Sequence, residues 1–299
     1  MKRHLHHSRW GAGYGIVLAL FTAYVLLDAF VIPRNYASVR DSASSAGAAS
    51  SARTEDAVQT DISYTGSGIS VTLSTSRYCG TAVYTADIVL SDAAALKTAL
   101  AEDTYGKNIT AATSSIAAGH GAILAINGDF YGAQNDGYVI RNGQLYRETA
   151  AASDREDLVI SSGGDFSIVR EGDSSARALL AGGAEQVLSF GPGLVEDGRV
   201  CVDEDAEVAR AKASNPRTSI AQIGPGHYVM VVADGRTEES QGLSLRELAE
   251  YLRSLGAVTA YNLDGGGSST LYFNGRVVNN PTGGGRIGER KVSDIVYIG

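Results

Sequence analysis

The sequence predicts an α+β fold, a mixed and mostly antiparallel sheet with a few packed helices, preceded by one N-terminal transmembrane helix. Three observations carry this. Residues 69–78, ISVTLSTSRY, alternate apolar and polar side chains, as a strand with one buried face does. Two short apolar runs, AILAI at 122–126 and VTAY at 258–261, run straight into loops built of Asn, Gly and Asp, which fits strands buried on both faces. Residues 243–255, LSLRELAEYLRSL, place Leu245, Leu248, Ala249, Leu252 and Leu255 on one helical face.

Taken in order, residues 1–10 form a short basic N-terminus, and residues 11–32 read GAGYGIVLALFTAYVLLDAFVI. A helix needs about 20 apolar residues, rising about 1.5 Å each, to cross a hydrocarbon core of roughly 30 Å. Lys2, Arg3 and Arg9 precede the run, and its single charge, Asp28, falls near the far end. The expectation is an uncleaved signal anchor in the cell membrane, single-pass, with the C-terminal domain extracellular. A cleavable signal peptide competes, but the run is long and LDAFVIP offers no small-x-small cleavage site. Residues 33–60, which include SASSAGAASSA, read as a flexible Ser/Ala linker. One domain then occupies 61–299.

Within that domain, strands are expected at 69–78 and 82–90, followed by a short helix from an Asp92 N-cap to Leu100 and another over 111–118. Turns at Arg141-Asn-Gly143, Ser162–Asp165 and Glu196-Asp-Gly198 mark hairpins. Residues 219–223 and 228–233 flank Gly224-Pro-Gly-His227 as a further hairpin. Ser244 as N-cap, with Glu247 three residues on and Gly256 as the stop, bounds the 243–255 helix. Strands at 257–263, 270–273, 276–278 and 293–298 close the chain.

The chain of 299 residues has a net charge of −8, with 36 Gly against 5 Pro. Five of its 25 Lys and Arg but only one of its 33 acids lie in residues 1–40, so the domain is distinctly acidic. That excludes non-specific nucleic-acid binding, which depends on neutralising phosphates. Cys79 and Cys201 both follow the apolar run. They could pair in an oxidising exterior or stay as two thiols; neither adjoins a His, so no metal-site spacing arises.

The chemistry is expected where the two buried strands end, at AILAINGDFYG (122–132) and VTAYNLDGGGSST (258–270). Polar groups at the mouth of a buried strand are held rigidly. Three glycines after Asp264 allow close backbone approach, and successive N–H groups can cradle an anion. As a Gly triplet alone, the stretch reads equally well as a tight turn. It is neither a Walker A loop nor a Rossmann fingerprint, and no G-x-S-x-G elbow occurs. Arg217, in NPRTS, suits bidentate phosphate contact or a strand's surface edge equally. Asp234-Gly-Arg236 reads as a turn, 289–294 as a charged edge or a base with two acids beside the sheet, and His120 and His227 as surface residues. Acidic glycine-rich loops also leave room for Ca²⁺, although no run has EF-hand spacing and no other cofactor is evident.

AINGDFYG, SFGPGLVEDG, NPRTSIAQIG, VVADGR, the 242–275 stretch ending NLDGGGSSTLYFNG, and ERKVSDIVYIG together resemble, in this order, the phosphodiester glycosidase family. LLDAFVIPRNYASV also resembles bacterial members described as exopolysaccharide-biosynthesis proteins. The resemblance covers 120–299 well and 61–120 weakly. It implies a hydrolase that cleaves between the anomeric carbon of a sugar, N-acetylglucosamine-like, and a phosphodiester in cell-envelope or exopolysaccharide glycans. It further implies catalytic roles for Asp264, Asp129 and Asp234. Substrate contacts would come from Asn127, Gly128, Arg217, Asn262, Gly265, Gly266, Gly267, Ser268 and Thr270. A non-catalytic glycan-binding or assembly protein is the alternative.

Overall fold

Residues 5–35, 58–202, 214–283 and 286–299 are described by a computed structural model of the chain. Among them, the strands form three large sheets and one two-stranded ribbon. The largest has nine strands, in spatial order Arg199–Val200, Gly193–Glu196, Thr259–Leu263, Arg217–Gly224, His227–Ala233, Thr81–Leu90, Ile69–Tyr78, Ser63–Gly66 and Val58–Gln59. A five-stranded sheet runs Arg276–Val277, Leu271–Phe273, Leu124–Asn127, Asp294–Ile298 and Leu96–Leu100. A second five-stranded sheet runs Gln144–Arg147, Val139–Arg141, Ala184–Leu188, Glu156–Ser161 and Phe166–Arg170. The expected single mixed sheet is therefore several separate sheets. Their neighbouring strands are antiparallel, as in Arg217↔Ala233 and Ile295↔Asn127.

The sheets share one core. Ile88, Ile220, Tyr228, Met230 and Tyr261 of the nine-stranded sheet pack with Leu124, Ile126, Phe273 and Val296 of one smaller sheet and Leu158, Ile160 and Leu188 of the other. The far face of the nine-stranded sheet is covered by the helix Leu245–Ser254 through Leu245, Leu248, Ala249 and Leu252. Full burial of such side chains stabilises by roughly 1.5–3 kcal/mol each. Covering on both faces explains why 217–222 and 228–233 are buried without alternation. The helix begins in a capping box: Glu247 N donates to Ser244 Oγ at 3.2 Å, and Ser244 N donates to Glu247 Oε2 at 2.8 Å. Short helices Thr113–Gly119 and Ala176–Ala181 cover the outer faces of the smaller sheets.

The helix expected from Asp92 to Leu100 is not formed. Asp92 does cap, accepting from Ala94 N at 2.9 Å, but only a 3-10 turn, Ala93–Ala95, follows. Leu96–Leu100 is instead a strand paired with Asp294–Ile298. Sheet pairing supplies hydrogen bonds and burial that one short helix could not, so tertiary context overrides the local signal. Cys79 and Cys201 are both exposed and free.

At the N-terminus, Leu5–Phe30 is a helix whose side chains from Tyr14 to Leu27 are largely exposed. Among the described residues no helix is long and apolar enough to cross a membrane, so the span expected at 11–32 is not shown. The chain then docks. Arg34–Asn35 pairs antiparallel with Gly106–Lys107, and Asn108 Nδ2 donates to Ile32 O at 3.2 Å. The linker expected over 33–60 thus begins and ends in paired backbone, with Val58–Gln59 on Ser63–Gly66 at its end. Residues 36–57 lie outside the described part.

Candidate functional site

Antiparallel pairing brings one end of each sheet together. Arg217 opens its strand opposite Ala233, so Asp234 follows at the same edge, and Thr218 sits opposite Leu263, which puts Asp264 there too. In the adjoining sheet, Ile295 faces Asn127, so Asp294 flanks the start of the 128–132 loop. The residues singled out in the two motifs and in 289–294 therefore converge, although they are far apart in sequence.

Asn127 is the joint between the sheets. Its Nδ2 donates to Asp264 O at 2.6 Å, and its Oδ1 accepts from Thr218 Oγ1 at 2.8 Å and Thr270 N at 3.2 Å. Gly128 extends the joint: its N donates to Asp294 O at 2.9 Å, and its O accepts from Asp264 N at 3.3 Å. A side chain at Gly128 has no room, since a Cβ would stand 2.3 Å from Asp294 Oδ1.

The glycines of the 265–267 run serve close packing. A Cβ on Gly265 would approach Pro216 O to 2.9 Å, and one on Gly267 would approach the Gly283 Cα to 3.1 Å. Gly266, at φ 63°, donates its N–H to Pro216 O at 2.8 Å and lies beneath the Arg236 guanidinium. Its amide is therefore already paired within the chain. Positive charge at this loop comes from guanidinium groups instead. Arg290 Nη2 donates to Asp264 Oδ2 at 2.7 Å and its Nε to Ser268 Oγ at 2.8 Å. Arg236 Nη2 reaches Asn215 Oδ1 at 3.2 Å. Arg217, 9% exposed, donates from Nε to Leu243 O at 2.8 Å.

The three acids expected to be catalytic have different surroundings. Asp264 is the most accessible, at 8% exposure against 2% for Asp129 and 4% for Asp234. Burial pushes its carboxyl above the usual range, while Arg290 and Ser268 pull it back down. Asp129 is enclosed by donors: Tyr131 N at 2.9 Å on Oδ1, and Arg141 Nη2 and Ser189 N, each at 2.8 Å, on Oδ2. Asp234 accepts from Asn279 Nδ2 and Asn280 N, both at 3.0 Å, and so holds the 279–280 segment under Ser269. The neighbouring Tyr84 phenol is pushed up to about 12 by burial and by the Asp234 charge.

Asn262 is anchored through Nδ2 to Gly191 O at 2.8 Å. Its Oδ1, together with Ser269 Oγ and Thr270 Oγ1, is buried with no hydrogen-bond partner among the described residues. Such atoms are rare in folded chains and mark places where a ligand or water completes the bonding. No group of three or more His, Cys, Asp or Glu among the described residues could hold a metal ion.

Sequence reasoning missed Arg141, Ser189 and Asp157. The sequence marks Arg141 only as the start of an Asn-Gly turn, yet it is 2% exposed and bridges Asp129 and Asp294. Arg290 and Asp294 belong to the 289–294 run, which reads in sequence either as a base with two acids beside the sheet or as a charged edge. Their signal was the compact ERKVSD run beside the last strand, but nothing local showed which acid it would meet. The histidines are surface pairs, His120 with Asp103 at 2.9 Å and His227 with Asp87 at 2.7 Å.

Residues 120–299 match the phosphodiester glycosidase family. The SPbeta prophage-derived protein YomE of Bacillus subtilis is 29% identical over 181 residues, 59% of this chain and 28% of that protein. The N-acetylglucosamine-1-phosphodiester alpha-N-acetylglucosaminidase of Mus musculus is 44% identical over 66 residues, 22% of this chain and 13% of that enzyme. The alignments thus span under a third of these relatives' own length. In fold, the chain is similar to the zebrafish N-acetylglucosamine-1-phosphodiester alpha-N-acetylglucosaminidase catalytic domain auto-inhibited by pro-peptide. The TM-score is 0.62 at 19% identity, covering 77% of this chain and 82% of that one. A hypothetical protein from Synechocystis is similar at TM-score 0.56 and 16% identity, covering 77% and 62%.

Proposed function

We propose, for a chain that belongs to the phosphodiester glycosidase family, that it is a glycosidase acting on sugar-1-phosphodiesters. The observation that carries this is the pairing of Asp264, the most accessible buried acid, with the Arg290 guanidinium at 2.7 Å beside the glycine loop that Arg236 covers. One carboxylate next to several guanidinium groups fits a substrate that is both a sugar and an anion.

In the proposed reaction, water adds to the anomeric carbon as the bond from that carbon to the phosphate oxygen breaks. The products are the free sugar and a phosphate monoester. Arg217, Arg236 and Arg290 would stabilise the departing phosphate, whose low basicity makes strong protonation unnecessary. Asp264 would take the proton from water or balance positive charge at the anomeric carbon. Asp129 and Asp234, enclosed by donors, would hold the two loops in place. The orphaned oxygens of Asn262, Ser269 and Thr270 would meet sugar hydroxyls or bridging water. We assign the substrate to N-acetylglucosamine-like units of cell-envelope or exopolysaccharide glycans.

We also place the domain outside the cell, held at the membrane by the helix Leu5–Phe30, whose exposed Ile16, Leu20, Phe21 and Leu27 are otherwise left facing water. Fractionation of cells, with protease added from outside, tests that placement. Recovery in the soluble cytoplasmic fraction overturns it.

The functional test is release of free reducing sugar from a panel of α-sugar-1-phosphodiesters by the full-length chain. Asp264→Asn should lower kcat by roughly 10²–10⁴-fold, the usual worth of a general acid or base. Saturable polysaccharide binding with no turnover on any member of the panel would favour a glycan-binding protein instead.

A further inference from the structure

The last strand of the chain begins with a carboxyl group that the reaction does not touch. Asp294 is fully buried, and its Oδ2 accepts from Arg141 Nε at 2.9 Å and Nη2 at 2.8 Å. The same Arg141 Nη2 reaches Asp129 Oδ2 at 2.8 Å. One guanidinium thus lies between two acids, with all three groups at most 2% exposed. Two ionised carboxylates against one cation would leave a net negative charge away from water, at a penalty of several kcal/mol.

The hydrogen bonds differ between the two acids. Asp129 accepts from three donors on three different residues. Asp294 has only the Arg141 fork, and its Oδ1 has no partner among the described residues. That oxygen faces Gly128, whose missing Cβ is what lets the loop pass over it. The groups facing Asp294 are Asp129 and Tyr131 from the 128–133 loop, Arg141 from its own strand, and Asp264 from the glycine loop. Two of these four, Asp129 and Asp264, disfavour a further negative charge, and only Arg141 favours it.

We propose that Asp294 is a positioning residue that works as a neutral acid. Arg141 and Asp129 balance each other, while the protonated carboxyl of Asp294 supports Gly128 and keeps a second negative charge away from Asp264. Burial and the Asp129 charge push Asp294 far above the ordinary carboxylate range, to about 8, despite the opposing pull of Arg141. The inference deepens the glycosidase reading and rests on it for the role toward Asp264, but the protonation itself can be tested without turnover.

Asp294→Asn in the full-length chain is the deciding variant, because asparagine keeps the shape and removes the proton exchange. A carboxyl protonated in the folded chain but ionised in the unfolded chain makes stability fall as pH rises, until its folded-state value is passed. The Tm of wild type should therefore fall more steeply between pH 5 and about 8 than that of Asp294→Asn. Parallel Tm curves overturn the proposal. On a sugar-1-phosphodiester, Asp294→Asn should keep kcat within about threefold of wild type near neutral pH and lose an alkaline inflection that wild type shows. A loss of about 100-fold or more, with KM unchanged and the inflection retained, also overturns it.

If Asp294→Asn does not fold, carbon-13 aspartate labelling of the Asp157→Asn protein decides instead. One aspartate should still titrate in the alkaline range, and none doing so overturns the proposal. If wild type turns over no sugar phosphodiester, the functional reading fails while the melting and titration results still decide this one.

Discussion

Asn127 Nδ2 donates to the backbone oxygen of Asp264 at 2.6 Å, so the side chain ending one sheet holds the acid of the other in place. The same amide accepts from Thr218 and from the Thr270 N–H, which leaves neither end of the group idle. Asn127→Ala removes all of these bonds and orphans buried partners. It should destabilise the fold by about 2–4 kcal/mol, since each unsatisfied buried group costs about 1–3 kcal/mol. Urea unfolding monitored by circular dichroism checks this. Asn127→Asp should recover little, because a carboxylate cannot donate to Asp264 O.

Gly128→Ala tests the tightness of the joint from the backbone side. A Cβ there meets both Asp294 oxygens and Cγ within 2.9 Å, and Asp294 is wedged against Arg141 with no space to retreat. Overpacking of this kind typically costs about 1–3 kcal/mol. The variant should fold with a lower Tm, and its kcat should fall by roughly 10²-fold, as expected when catalytic groups shift by about 1 Å. Steady-state kinetics alongside a melt separates the two effects.

Arg290→Ala should shift the pH profile. Burial raises the Asp264 carboxyl and Arg290 opposes that rise, so removing the guanidinium moves the carboxyl further up. If ionised Asp264 is the working form, activity is lost as pH falls through its raised value. The acid limb of kcat against pH should therefore move to higher pH in Arg290→Ala. An acid limb that stays in place would show that Asp264 is not the group it reports.

Asp157 offers a stability test remote from the glycine loop. It is fully buried with neither oxygen hydrogen-bonded among the described residues, and burial pushes it up to about 8. Its folded-state value lies above the unfolded one, so its contribution is complete below the ordinary carboxylate range and fades as pH rises toward about 8. Asp157→Asn should flatten the decline of Tm over that window, measured by calorimetry at constant ionic strength.

Much of this was visible in the chain. The helix Leu245–Ser254 could be read because its cap, apolar face and glycine stop all agreed. The hairpin of 217–224 and 227–233 could be read because Gly-Pro-Gly leaves few alternatives. The site loops showed themselves by Asn and Asp emerging from unbroken apolar runs. What could not be read was partnership at long range. Arg141 looks like any residue before an Asn-Gly turn; only sheet pairing puts it between Asp129 and Asp294. Asp92 sent a true capping signal, yet the strand partner of Leu96–Leu100 lies almost two hundred residues away, beyond any local window.

The short pairing of Arg34–Asn35 with Gly106–Lys107 ties the chain to the domain just after the helix Leu5–Phe30 ends. The chain is paired to the domain at Arg34–Asn35 and again at Val58–Gln59. Val31, Ile32 and Pro33 join the helix to the first paired residue, Asn108 Nδ2 donates to Ile32 O, and Asn108 N donates to Gly132 O. The chain leaving the helix Leu5–Phe30 is thus fastened on the side of the domain that carries Gly106–Asn108.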